Sequence, residues 1–330
     1  MKAPVTLKQL AQHLQLSIAT VSRALKDHPD IAPETKRKVQ ELAQMLEYEP
    51  NAHAISLKTN TSKEFAIIVP EIAGYFYNYF IAAIEEEARR IGYSVIILQS
   101  GHDPLLEIEN VRRCRKSRVA GMFISTVSGG IDLSECRKAE DNGIPVIFFD
   151  KVPVSSSFNK VCVADEEAAE LAAQALIRAK KKKVLALFGE GNMSITATRR
   201  EAFLATFKRE ASTCKLSLLE AHNSESAFHV SLAQIKSKKP DALFCMSDEI
   251  LAGALKAIQK LGLSMPSDIG VIAISNGFIP QLYYPEITYV ETSGFKLGKL
   301  SFARMMACLA GSTFMQTIRS ESILVKGGSL

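Results

Sequence analysis

The chain has 330 residues, with 40 Lys plus Arg against 35 Asp plus Glu and 47% apolar residues. That composition excludes a disordered or fibrous chain and suggests two or three globular domains. A formal charge of +5 is too weak a bias to identify nucleic acid as a partner, and no apolar run approaches the ~20 residues of a membrane-spanning helix. The N-terminal residues have no continuous apolar core, so no secretory signal is expected. The six cysteines form no CxxC, which suits free thiols in a reducing cytoplasm.

The first 50 residues carry three short helical patterns. Leu7, Leu10, Ala11 and Leu14 recur on one face behind Thr6, a good N-cap. Ser17 caps a second helix with Ile18, Val21 and Leu25 apolar. A third starts at Pro33-Glu34, buries Val39, Leu42, Ala43 and Leu46, and is expected to end at Pro50. This pattern fits a helix-turn-helix whose second helix enters the major groove. It equally fits a bare three-helix bundle, because residues 1–60 hold only eight Lys/Arg against six Asp/Glu. Residues 51–62 read as a short helix that needs a partner to fold, or as a plain linker.

A strand–helix rhythm follows. Apolar strands are predicted from Phe65, Ser94, Val119 and Pro145, and again from Val184, Leu216, Ala242 and Gly270. Helices are predicted between them, among them Ile81–Ile91, Glu166–Ala179, Thr196–Glu210, Ala227–Lys236 and Glu249–Leu261. The tail adds a strand at Thr288–Val290, a helix at Phe295–Leu309 and a strand at Ser322–Val325. Continuous apolar strands alternating with helices define an α/β class with two parallel sheets, each covered on both faces.

The ordered set Val5-Thr6-Leu7, Ala11, Ser17-Ile18-Ala19-Thr20-Val21-Ser22-Arg23-Ala24-Leu25, Tyr48-Glu49-Pro50-Asn51-Ala52 and Ala54-Ile55-Ser56-Leu57 resembles LacI-type transcription regulators. A looser resemblance continues through Gly92-Tyr93, Phe149-Asp150, Arg199, Ser247-Asp248 and Pro266-Ser267-Asp268. It implies a DNA-binding head over 1–50, a hinge helix and linker over 51–62, and a periplasmic-binding-protein-like core over 63–330. Within the core it implies one subdomain of about 63–160 plus 292–320 and another of about 161–291 plus 321–330. It also implies a homodimer on a palindromic duplex operator and an effector in the cleft between the subdomains. A cytoplasmic protein with no catalytic activity, cofactor or membrane partner is expected, and the histidines and cysteines show no metal-ligand spacing. An Arg and two Asp facing one cleft suit a polyol, a sugar or a phosphorylated sugar. The C-terminus carries no leucine heptads, which favours a dimer over a coiled-coil tetramer.

By the same resemblance, Ile18, Ala19, Thr20 and Arg23 meet base edges, Arg23 being able to grip guanine bidentately. Thr6, Ser17, Ser22, Thr35 and Asn51 resemble phosphate holders, though the hydroxyls also suit helix capping. Ala54 and Leu57 belong to the hinge, with Leu57 matching a minor-groove wedge. Ala32 departs from the usual Ser cap of the third helix. Effector contacts are expected from Phe76 and Tyr77 after the first strand, from Asp150, Asp248 and Ser275 at strand ends, and from Arg199 in the helix after Gly189. Ser275 stands where sugar-binding relatives often carry Asp.

Two other features stay open. The loop Gly189-Glu190-Gly191-Asn192-Met193-Ser194 approaches a dinucleotide fingerprint but follows the wrong strand for one. The lysines 180–183 suit either phosphate or a solvated helix end. A solute-binding protein and a nucleotide-binding α/β enzyme are the competing classes.

Overall fold

The computed structural model describes residues 5–48, 62–127, 132–155, 157–191, 193–211 and 213–330. Asn51, Ala54 and Leu57 lie outside the described residues. The chain divides into two compact units, residues 1–62 and 63–330.

The first unit holds α1 (Leu7–Leu14), α2 (Ile18–Leu25) and α3 (Pro33–Met45). Leu10, Ala11, Val21, Ala24, Val39 and Ala43 form its core. Each helix ends in the same reverse turn. Leu16 N–H donates to Ala11 C=O, His28 N–H to Arg23 C=O and Tyr48 N–H to Ala43 C=O. The residues that turn the chain, Gln15, Asp27 and Glu47, take positive φ. This turn stops α3 at Met45, well before the Pro50 expected from the sequence. Lys36 Nζ ties the loop after α2 to α3 through Asp27, 2.7 Å from its carboxylate and 3.2 Å from its carbonyl.

The second unit contains two six-stranded sheets. The first half supplies β1 (Glu64–Val69), α4 (Tyr75–Arg90), β2 (Ser94–Gln99), α5 (Pro104–Lys116), β3 (Gly121–Ile124), α6 (Ser134–Asp141), β4 (Val146–Phe149) and β5 (Asn159–Val163). The second half supplies α7 (Asp165–Arg178), β6 (Lys183–Phe188), α8 (Ser194–Glu210), β7 (Lys215–Glu220), α9 (Ser224–Lys238), β8 (Ala242–Cys245), α10 (Asp248–Lys260) and β9 (Gly270–Ser275). The remainder is α11 (Phe278–Gln281), β10 (Thr288–Glu291), α12 (Gly294–Leu309), β11 (Thr317–Ser320) and β12 (Ile323–Val325).

The sheet orders are β11-β5-β4-β3-β1-β2 and β12-β10-β9-β8-β6-β7. Every pairing is parallel except β10 with β12. The chain therefore crosses between sheets after β5, after β10 and after β11. Strand interiors such as Phe65–Val69 and Val184–Phe188 are buried, as their unbroken apolar runs require.

Two strands depart from the sequence expectation. β5 and β11 are additional, and β5 keeps the chain in the first sheet to Val163, past the boundary expected near 160. Polar Asn159 is buried there because Arg304 Nε donates to its Oδ1 at 2.8 Å and Gln316 N–H donates to the same oxygen at 3.0 Å. Helix α4 also begins six residues before the expected Ile81, which puts Phe76 and Tyr77 on its first turn.

The small core of the head makes it sensitive to a single cavity. Leu10 is fully buried, and Leu10→Ala should cost about 3 kcal/mol, a large share of a small domain's stability. Amide exchange over residues 7–45 should accelerate while that of the two sheets stays unchanged. Unaltered protection in the head would contradict this packing.

Candidate functional site

The head presents a polar and an apolar surface on one short helix. Thr6 caps α1 in a capping box: its Oγ1 accepts from Gln9 N–H at 3.3 Å and its N–H donates to Gln9 Oε1 at 2.8 Å. Ser17 Oγ accepts from Thr20 N–H at 3.0 Å and shares a 2.8 Å hydrogen bond with Thr20 Oγ1. These hydroxyls cap helices and keep lone pairs or protons for an outside partner. Helix α3 has no such cap, because Ala32 offers no side-chain acceptor and Pro33 stands at its start. Ile18 is 48% exposed, an unusual position for a large apolar side chain unless something covers it. Ala19 and Arg23 are exposed on the same helix; Thr20, Ser22 and Thr35 are half-buried. No ion pair involves Arg23 among the described residues.

The core places its predicted residues at the C-terminal ends of strands, where ligands bind in open parallel sheets. Asp150 follows β4 with φ of 55°, a left-handed conformation that Asp tolerates better than most residues. Its Oδ2 accepts from Tyr77 Oη at 3.0 Å, and that hydroxyl shares a further 3.0 Å bond with Ser125 Oγ. Burial raises the Asp150 carboxyl above its ordinary range. Burial, then the Asp150 charge, pushes the Tyr77 phenol well up.

Arg199 is 6% exposed, so its charge must be answered by protein or ligand. Its partner was not foreseeable from the sequence. Asp165, the first residue of α7, accepts from Arg199 Nε at 2.8 Å and lies 2.7 Å from Nη2. Arg199 Nη1 donates to Met246 C=O at 2.7 Å. Burial raises the Asp165 carboxyl, and Arg199 opposes that rise. This pair links the crossover after β5 to α8 and to the end of β8. Asp150 and Asp165 also line a cavity of about 860 Å³ beside the crossover, together with Lys160, Ile195, Thr198 and Arg319.

Asp248 and Ser275 form the other polar pair. Ser275 Oγ donates to Asp248 Oδ1, and Asn276 N–H donates to Oδ2 at 3.0 Å. Ser275 itself thus carries no charge, but Asp248 brings a carboxyl to it. Burial pushes that carboxyl up to about 6. Asn276, which no sequence motif singles out, has a buried Nδ2 with no partner among the described residues, while its Oδ1 accepts from Phe278 N–H at 3.0 Å. Tyr75 of α4 stacks on Phe278 of α11 with centroids 5.4 Å apart and planes at 27°. This contact joins the two halves of the core. Phe76 is different from the other predicted contacts: it packs against the core of the first sheet and edge-on to Tyr77 at 5.9 Å.

The structure thus joins Tyr77 to Asp150 and Asp248 to Ser275, and sets Arg199 on Asp165. A three-helix head in one chain with a two-sheet, three-crossover core has the architecture of a DNA-binding regulator with a ligand-binding core. Residues 6–51 match the bacterial regulatory proteins of the lacI family, and residues 62–323 match the periplasmic binding proteins and sugar binding domain of the LacI family. The chain belongs to the LacI family of transcription regulators. It is 29% identical over 300 residues to catabolite control protein A of Staphylococcus epidermidis, covering 89% of each chain. It is 27% identical over 304 residues to the transcriptional repressor PurR of Vibrio vulnificus, covering 90% of each. A structure of the Lac repressor dimer bound to operator and the anti-inducer ONPF superposes with a TM-score of 0.87 at 22% identity, over 99% of both chains.

The buried Asp248 carboxyl makes stability depend on pH. Its pKa is raised from 3.8 to about 6, so its stabilising contribution is full below about 4 and is lost as pH rises through 6. Asp248→Asn should therefore gain stability relative to the parent between pH 4 and 7, by up to about 3 kcal/mol. Urea unfolding at several pH values reads this directly; parallel curves for the two proteins would contradict the assignment.

Proposed function

We propose that the protein represses transcription as a homodimer on a palindromic operator and is switched by an uncharged sugar or polyol in the cleft. The observation that carries this reading is the outward face of α2. Exposed Ile18, Ala19 and Arg23 stand together there, and Arg23 has no ion-pair partner among the described residues. Arg23 grips a guanine edge, Thr20 adds a hydroxyl, and Ile18 with Ala19 meets thymine methyl groups. Thr6, Ser17, Ser22, Thr35 and Asn51 hold phosphates and set the register. Ala54 and Leu57 form the hinge, with Leu57 entering the minor groove at the operator centre. The Lac repressor structure holds a dimer, its operator and an anti-inducer, which supports all three partners here.

Phe76, Tyr77, Asp150, Arg199, Asp248 and Ser275 are the effector residues in this reading. Arg199 is already neutralised by Asp165, and Asp150 and Asp248 add two carboxyls. A sugar phosphate would bring a dianion to those groups. Hydroxyl groups instead donate to them, and ring oxygens accept from the free Asn276 Nδ2. The protein works in the cytoplasm and catalyses no reaction. Against a nucleotide enzyme, the Glu220 carboxylate lies against Gly191, which puts a negative charge where a phosphate would have to sit.

Selection of random duplex DNA by the purified full-length protein tests this function. A palindrome with one dominant central step is expected. Arg23→Ala should weaken binding to it about 10- to 100-fold, the value of one bidentate base contact. Leu57→Gly should weaken binding as well. No enriched sequence, with or without pooled sugars, would refute the reading.

A further inference from the structure

The lysine run before β6 is part of a larger cationic surface. In a parallel sheet, helix C-termini gather at the edge where strands begin. Here that edge of the second sheet collects Arg178 and Lys180–Lys183 from the end of α7 and the start of β6, Lys215 from β7, and Lys236, Lys238 and Lys239 from the end of α9. Strands β7, β6 and β8 are adjacent, and Lys183 is the direct register partner of Lys215. Like charges placed opposite each other destabilise a strand pair. None of these nine cations forms an ion pair among the described residues. Asp241 is the nearest candidate, but its carboxylate accepts from the backbone N–H groups of Lys182 and Lys183 at 2.8 and 2.9 Å. Asp268 is likewise turned to Ser264 N–H at 2.8 Å, and Glu210 pairs with Arg209.

Helix dipoles explain only part of the surface. Arg178 and Lys180 complement the C-terminal end of α7, and Lys236 and Lys238 that of α9. Lys183 and Lys215 begin strands, which have no comparable dipole.

We propose that this edge is a second, sequence-independent contact surface for the phosphate backbone of duplex DNA, separate from the head. The residue types select the partner. Lysine is depleted from protein–protein interfaces, which favour aromatic, Met and Arg side chains, and eight of the nine cations are lysines. No aromatic residue occurs between 178 and 183 or between 236 and 241 on which unpaired bases would stack. Flexible ammonium groups spread across three strands about 4.8 Å apart suit a regular line of phosphates.

The test uses the full-length protein and a 40-bp duplex of mixed sequence lacking any selected operator, titrated over a range of salt. A variant carrying Lys182→Gln, Lys183→Gln, Lys215→Gln and Lys238→Gln should bind at least tenfold more weakly at low salt. Its slope of log affinity against log salt should be shallower by about 2 to 4, at roughly 0.9 for each phosphate that the variant no longer neutralises. The same four positions changed to Arg should restore the slope, which separates charge from misfolding. The difference between parent and Gln variant should persist in an Arg23→Ala background, since it does not come from the head. An unchanged slope in the Gln variant overturns the proposal. So does an unchanged DNA slope accompanied by loss of poly-glutamate binding, which would assign the surface to an acidic protein.

Discussion

A buried arginine sets the plan of the cleft. Arg199 sits where its guanidinium cannot reach bulk water, and an unpaired charge in that position costs several kcal/mol. Asp165 and the Met246 carbonyl answer it together. Asp165 begins the helix that follows the first chain crossing, and Met246 follows β8. The same contacts that neutralise Arg199 therefore fasten the crossover to the end of the second sheet. Asp150, at the end of β4 in the first sheet, feels the charges of Asp165 and Arg199. Loss of either partner leaves the other buried and uncompensated, so the pair is a natural place for a bound molecule to shift the balance between two arrangements.

The rest of the cleft follows from parallel topology. Strand C-termini in both sheets end beside the crossings, so side chains distant in sequence meet there. Tyr77 and Asp150 are 73 residues apart, and Ser275 and Asp248 are 27 apart. Each pair is already hydrogen-bonded within its own half of the core. Under the proposed effector reading, a ligand adds contacts to groups that are already arranged, which lowers the entropic cost of binding. The Tyr75–Phe278 stack spans the two halves and makes any change in their angle felt at one aromatic contact.

Much of this was legible in the sequence because its signals were local. The three head helices follow from apolar spacing and from Thr6, Ser17 and Pro33 at helix starts. The inner strands follow from runs such as Phe65-Ala66-Ile67-Ile68-Val69. The losses were of another kind. β5 carries Asn159 and Lys160 among its buried residues, so its apolar signal is broken, and only Arg304 from a helix 145 residues away explains the burial of Asn159. β11 is a sheet edge with a half-exposed Thr-Ile-Arg-Ser sequence. Asp165 reads as an ordinary acid in a first helical turn, a role that helix dipoles favour, and nothing local announces Arg199. Glu47 in a left-handed turn ended α3 before the Pro50 that the sequence pointed to. The dinucleotide-like glycine loop showed the opposite weakness, a local pattern with the Glu220 carboxylate set against it.

Whether a molecule in the cleft acts on DNA binding through Arg199 and its partner is open to direct measurement. The quantity to follow is the affinity of the full-length protein for its selected duplex across a panel of neutral sugars and their phosphates, in the parent and in Arg199→Ala. One neutral member should change the parent's affinity by between about 5- and 150-fold, the usual range of allosteric coupling. The variant should not respond to that sugar, whatever its affinity for the duplex alone. An equal response in Arg199→Ala, or a response confined to phosphorylated sugars, would contradict the account.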